Sequence, residues 1–227
     1  MEKLPLELRQ TVKEVTLDMA NNMESAASQS FPGAQLVTDR FHVVRLATEA
    51  IQHLRIKYRW EALDKENNDI EEARKQKKKY QAEVLINGDT PKQLLARSRY
   101  IIIKRQYEWT PSQKQRAMLL FNRYPVLKTA YEHVIDFRNI YELKQKSKAE
   151  FMFNKWIDKT NELKINEFNT VAKTVTNNLN NILNFFNYRN TNANAESFNA
   201  KVKLFRANLR GVIDTKFFLF RLTKLFA

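Results

Sequence analysis

VKEVTLDMANNMESAASQSFPGAQLVTDRFHVVR, residues Val12 to Arg45, holds two short apolar runs that each end on an aspartate, with a helical pattern between them. Val12, Val15 and Leu17 are strand-forming residues that lead to Asp18, and the run from Ala34 to Val37 leads through Thr38 to Asp39. Met19, Met23, Ala26 and Ala27 line one face of the intervening helix, which Phe31-Pro32-Gly33 stops. A strand, a helix and a strand joined this tightly predict a parallel pair with a right-handed crossover, which puts Asp18 and Asp39 near one carboxyl edge of the sheet. That edge is where α/β proteins place their chemistry.

Ahead of this unit, Leu4, Leu6 and Leu8 form a short amphipathic stretch ending near Gln10. Behind it, everything reads as helix. Val44, Ala47, Ile51 and Leu54 recur at helical spacing. The charge run EEARKQKKKY, Glu71 to Tyr80, is a solvated helix face or arm, with non-specific phosphate contact as its lesser role. Asn87-Gly88-Asp89-Thr90-Pro91 is a break from which Asp89 or Thr90 caps a helix starting at Pro91. Thr110-Pro111-Ser112-Gln113 is a capping box with proline at the first helical position. Pro125 opens a further pattern through Leu127, Ala130, Tyr131 and Val134 toward Tyr141. Ile165, Phe168, Ala172, Val175, Leu179, Ile182 and Phe186 alternate steps of three and four, a seam that packs internally. Asn187 to Ser197 is a polar connection, and a last helix starts near Asn194. With only 3 glycines and 5 prolines, turn residues are too few for a many-stranded sheet.

Hydrophobic residues make up 43% of the 227, enough for a normal core. Lysines and arginines number 39 against 25 acids, and the net charge of +14 points to a polyanion, nucleic acid first. The absence of cysteine removes disulfides, thiolate chemistry and cysteine zinc sites, and fits a reducing cytoplasm. No run reaches the roughly 18 apolar residues of a membrane span, and MEKLPLELRQ lacks a signal-peptide core, so a cytoplasmic protein is expected.

The last helix carries an apolar face of Ala195, Phe198, Val202, Phe205 and Leu209 beside a stripe of Glu196, Asn199, Lys203, Arg206 and Arg210. From Phe198 onward there are seven basic residues and one acid, Asp214, which makes this segment the strongest local candidate for phosphate contact. Two divalent cations on carboxylates can cleave a phosphodiester without a side-chain nucleophile. Asp18 at a strand end and Glu196 in the first turn of a helix returning to the sheet would supply two ligands. On residue chemistry alone the structural readings are stronger: Asp39 as an N-cap, and Glu196 as an acid favoured at a helix N-terminus.

The segments LDMANNMESAASQSFPGAQLVTDRFHVVR, LLARSRYIIIKRQYEWTPSQKQRAMLLFNRYPVLKTAYEHVIDFRNIY and NANAESFNAKVKLFRANLRG, in that order, resemble the catalytic domain of bacterial insertion-sequence transposases of the ISL3 type. The resemblance covers nearly the whole chain. It implies a DDE enzyme that cuts and joins DNA at transposon ends with Mg²⁺ or Mn²⁺, two ions in the complete site. The implied fold is α/β with mostly α content: a partial ribonuclease-H-like core over 1–40, an all-helical insertion over 41–190, and a catalytic helix with a basic tail over 191–227.

Carried over by residue, the resemblance makes Asp18 and Glu196 the metal-binding catalytic carboxylates. Asp39 and His42 match an aspartate-x-x-histidine pair, with His42 orienting a carboxylate, a water or a phosphate, or holding the helix start against the sheet. Asp39 is a rival to Asp18, since both end strands; Asp18 is preferred. Asn199, Lys203, Arg206 and Arg210 are the implied backbone-phosphate contacts. Trp109 is expected to pack rather than to stack on an unpaired base.

The family's first aspartate precedes two further strands and a helix, at least about 40 residues at ordinary element lengths. Only 11 residues precede Val12, and none of Glu2, Glu7 and Glu14 ends a strand pattern. The expectation is a fragment, either a truncated product or one frame of a split transposase. Its partners would be transposon-end and target DNA, and a second copy or a full-length transposase. A non-catalytic remnant that binds DNA or transposase is the alternative.

Overall fold

The computed structural model describes residues 5–189, 191 and 193–226, and for Asn21, Phe226 and residues 193–196 it describes the backbone alone. Helix α1 (Leu6–Gln10) precedes strand β1 (Glu14–Leu17). The strand starts two residues later than expected because Thr11 and Val12 still donate to the carbonyls of Leu8 and Arg9 in the turn leaving α1. Helix α2 (Asn21–Ser30) crosses to strand β2 (Gln35–Thr38), where a turn from Ala34 to Phe31 delays the start by one residue. The strands pair in parallel, Glu14 against Gln35 through Leu17 against Thr38. Of the expected apolar face of α2, Ala27 is buried and Met23 stays exposed.

Helix α3 (Arg40–Lys75) leaves the sheet directly, burying Val43, Ala47, Ala50, Ile51 and Leu54 along its first half. Its far half is charged and solvated, as expected for Glu71 onward, and the helix ends inside that run. The break before helix α4 (Pro91–Arg97) turns through Gly88 at φ +80, a left-handed geometry suited to glycine. Here Thr90 is the N-cap residue, its N–H held by Gln93 Oε1 at 3.0 Å. Asp89 is instead fully buried, taking bonds from Arg97 and, at 3.0 Å, from Arg116.

Helix α5 (Pro111–Arg123) begins at the anticipated box: Gln113 N donates to Thr110 Oγ1 at 3.3 Å and Thr110 N to Gln113 Oε1 at 3.1 Å. Trp109 packs, its ring against Tyr131 and Phe121 and its N–H on the Ile101 carbonyl at 2.9 Å. Helix α6 (Pro125–Ile140) buries Leu127, Ala130, Tyr131 and Val134. Helix α7 (Lys146–Leu163) lies within the stretch expected to be all helical, though its own apolar pattern was not singled out there, and Ala149, Phe153, Trp156 and Thr160 form its buried face.

The seam from Ile165 to Phe186 is internal, as expected, but runs over helices α8 (Asn169–Asn177) and α9 (Leu179–Tyr188) after a short 3-10 turn at Asn166–Phe168. The joint is Asn178, whose side-chain amide donates to the Thr174 carbonyl at 2.8 Å and so competes with helix continuation. Helix α9 docks on β2, with Asn184 Nδ2 on the Leu36 carbonyl at 2.9 Å and Asn187 on Gln35 at 2.8 Å. One apolar core therefore runs from Val37 through the helices to Phe186. Helices α10 (Ala193–Asn208) and α11 (Thr215–Phe226) follow, stacked through Phe205 and Phe218 at 5.5 Å.

The described chain is thus mostly helical with a small two-stranded parallel sheet.

Candidate metal centre

The sheet register builds the site. Leu17 pairs with Thr38, and the ladder continues as Asp39 N donates to the Leu17 carbonyl at 3.0 Å, so Asp18 and Asp39 emerge side by side where the strands end. The backbone of Asp18 then turns, with Ala20 N on its carbonyl at 2.8 Å, and α2 begins. Asp39 is the N-cap of α3: its Oδ1 accepts from Phe41 N at 3.0 Å, and only 2% of the residue is exposed. Both the capping role and the strand-end position foreseen for Asp39 are therefore present at once.

His42 lies on the first turn of α3. Its Nε2 stands 2.9 Å from Asp18 Oδ1, so the imidazole pairs with Asp18 and not with Asp39. The Asp39 carboxylate is engaged by the helix start, whereas the Asp18 side chain, 46% exposed, faces His42 across the strand ends. Ligand atoms of Asp18, Asp39 and His42 all lie within 4.8 Å of one another. Two hard carboxylate oxygens suit Mg²⁺ or Mn²⁺, and Mn²⁺ also tolerates imidazole. The donor set fits a divalent cation, with His42 able to bind it or to hold Asp18 in place.

Glu196 lies on α10, with its side chain outside the described residues. Asn199, Lys203 and Arg206 are exposed on that helix, and no hydrogen bond or ion pair joins them to the strands or α3 among the described residues. Arg210 falls beyond the helix end, in a left-handed conformation at φ 55, where Arg210 N and Gly211 N close the last turn onto Ala207 and Arg206. The expected stripe of Asn199, Lys203, Arg206 and Arg210 therefore loses its last member, because the helix stops at Asn208.

Sequence reasoning did not find the residues next to this cluster. Arg40 and Phe41 on α3, Arg138 and Tyr141 at the end of α6, and Arg105 from the loop before α5 line a cleft beside the N-terminus of α3. Arg40 and Phe41 adjoin the Asp39–His42 pair in sequence, and that adjacency was the one available signal; Arg105, Arg138 and Tyr141 arrive only by packing.

Compared with known proteins, residues 1–222 match a family described as transposase, of the DDE ISL3 type. The chain belongs to the ISL3-type DDE transposase family. It is also similar to the transposase for insertion sequence element IS1001 of Bordetella parapertussis, at 22% identity over 225 residues. That alignment covers 99% of this chain and 50% of the relative, so the transposase-family chain spans about half the relative's length. No solved structure matches. No described helix is long and apolar enough to cross a membrane.

Proposed function

We propose that this ISL3-family chain is a catalytic part of a transposase that cleaves phosphodiesters at transposon ends and joins them to target DNA. The observation that carries the reading is the register of β1 and β2, which gathers Asp18, Asp39 and His42 within 4.8 Å at the strand ends. A parallel strand–helix–strand unit with aspartates at its carboxyl edge fits part of a ribonuclease-H-like core. The partition into that core, a helical insertion and a returning catalytic helix goes with it.

In this reading Asp18 and Glu196 would hold divalent ions, Mg²⁺ or Mn²⁺, which would supply charge stabilisation for phosphodiester cleavage and joining. Asp39 contributes a buried carboxylate fixed by its cap hydrogen bond, and His42 orients Asp18 through the 2.9 Å contact. Asn199, Lys203 and Arg206 on exposed faces of α10, with Arg210 just past it, receive backbone phosphates of DNA.

The test is nicking of transposon-end DNA by the purified chain in Mg²⁺ or Mn²⁺, with Glu196→Gln beside it. Metal-dependent nicking that the substitution abolishes is the expected result. Salt-sensitive DNA binding with no cleavage by either protein refutes catalysis by this chain alone and favours a DNA- or transposase-binding role.

A further inference from the structure

The cleft beside the N-terminus of α3 encloses about 290 Å³, close to the lower end of small-ligand sites. Three guanidinium groups line it, those of Arg40, Arg105 and Arg138, against one carboxylate, Glu142. Two are positioned by the fold: Arg138 Nη1 donates to the Ile103 carbonyl at 2.7 Å, and Arg105 is clamped by Asn139 at 3.1 Å and by Glu142. Each guanidinium has five N–H donors, so both keep donors to spare. The Glu142 side chain is 60% exposed, so it leaves the cleft with an excess of positive charge.

A fourth lining residue, Tyr141, is 2% exposed, and its hydroxyl is buried with no hydrogen-bond partner. Burial holds its ionisation well above the ordinary tyrosine range, so the hydroxyl stays a donor. An acceptor-rich anion is what three cations around one cleft fit.

At the rim stands Phe41, 59% exposed for a large aromatic ring. Its ring meets His42 edge-on at 5.6 Å, and His42 contacts Asp18 at 2.9 Å, so Phe41 connects the cleft to the carboxylate cluster. An exposed phenyl face beside a cationic floor matches the two halves of a nucleotide, a flat base and its phosphate.

We propose that this cleft is a subsite for one unpaired nucleotide of DNA, its phosphate bound by Arg40, Arg105 and Arg138 and its base stacked on Phe41. The proposal rests on the DNA reading above and adds a single-stranded element to it. Because Phe41 is two residues from Asp39, a nucleotide held there places the adjoining phosphodiester toward Asp18 and Asp39.

The experiment compares a blunt DNA duplex with the same duplex ending in a short single-stranded extension that carries aminopurine, a fluorescent adenine analogue quenched by stacking. Expected for the unaltered chain are binding of the extended duplex about tenfold tighter than the blunt one and quenched aminopurine. Phe41→Leu should remove both effects and leave blunt-duplex binding unchanged, while Phe41→Trp should keep the quenching. Arg40→Gln should weaken the extended duplex selectively. Thermal melting of each variant checks its fold, and if Phe41→Leu melts early, the Phe41→Trp and Arg40→Gln comparisons decide. Equal affinity for both duplexes, with fluorescence the same in all variants, overturns the subsite while the DNA reading stands. Failure to bind either duplex overturns the DNA reading and the subsite with it.

Discussion

Asp39 carries two roles that substitution can separate. As an N-cap its Oδ1 accepts from Phe41 N at 3.0 Å, and as a member of the cluster its charge lies within 4.8 Å of Asp18. Asparagine preserves the cap acceptor and removes the charge; alanine removes both. An N-cap lost to alanine costs about 0.5–2 kcal/mol, whereas aspartate and asparagine cap about equally well. Two carboxylates within this spacing repel by about 3.5 kcal/mol or more at an effective dielectric near 20, and the exposure of Asp18 lowers the figure. In metal-free buffer Asp39→Asn should therefore be as stable as the unaltered chain or slightly more so, and Asp39→Ala should be about 1 kcal/mol less stable. Metal reverses the order: at about 100 times its dissociation constant, a bound ion stabilises by about 2.7 kcal/mol. Urea unfolding with and without Mn²⁺ gives both numbers. The unaltered chain should gain stability from Mn²⁺, and Asp39→Asn should gain little or none. Equal gains in the two would show that Asp39 is a cap and no ligand; a loss from Asp39→Asn as large as that from Asp39→Ala in metal-free buffer would refute the capping argument.

His133 is buried, its Nε2 2.7 Å from Thr160 Oγ1, which itself donates to the Trp156 carbonyl at 2.9 Å; the ring must then donate from Nε2, leaving Nδ1 without a partner. Burial lowers its pKa from 6.5 to about 4, so its contribution is full above pH 6.5 and is lost as pH falls toward 4. The loss amounts to about 3 kcal/mol, and His133→Gln should flatten the stability-versus-pH curve in that window; a parallel curve would refute the assignment. At Asp89, burial raises the carboxyl pKa, but hydrogen bonds from Arg116 and Arg97 outweigh it and the net shift is downward. That stability is complete above the ordinary carboxylate pKa and is lost as pH falls through the lowered one. Asp89→Ala, which takes the carboxylate from the partly buried Arg116 guanidinium and from the more exposed Arg97, should cost about 1–3 kcal/mol in chemical unfolding. Thr110→Ala should cost about 1 kcal/mol by opening the α5 capping box, read as a lower urea midpoint.

The sequence by itself determined the features whose causes lie within a few residues. Alternation of strand formers up to Asp18 and Asp39, with a stop at Phe31-Pro32-Gly33, was enough to place a parallel strand–helix–strand unit and both aspartates at one edge. Thr110 and Gln113 sit three residues apart and close their box without help from the rest of the chain. The apolar spacing from Leu127 to Val134 marked a buried face because helical geometry turns sequence spacing into direction. Tertiary structure alone decided which partner each polar group took. His42 could reach either aspartate from the first turn of α3, and the capping demand of that helix on Asp39 left it to Asp18. The apolar spacing from Ile165 to Phe186 continues across two helices, because spacing is blind to the hydrogen bond by which Asn178 separates them. Arg40, Arg105, Arg138 and Tyr141 meet in one cleft although nearly the whole of α3, α4 and α5 separates them along the chain. Such meetings depend on how helices pack, and packing is a property of the whole core that no local window of sequence contains.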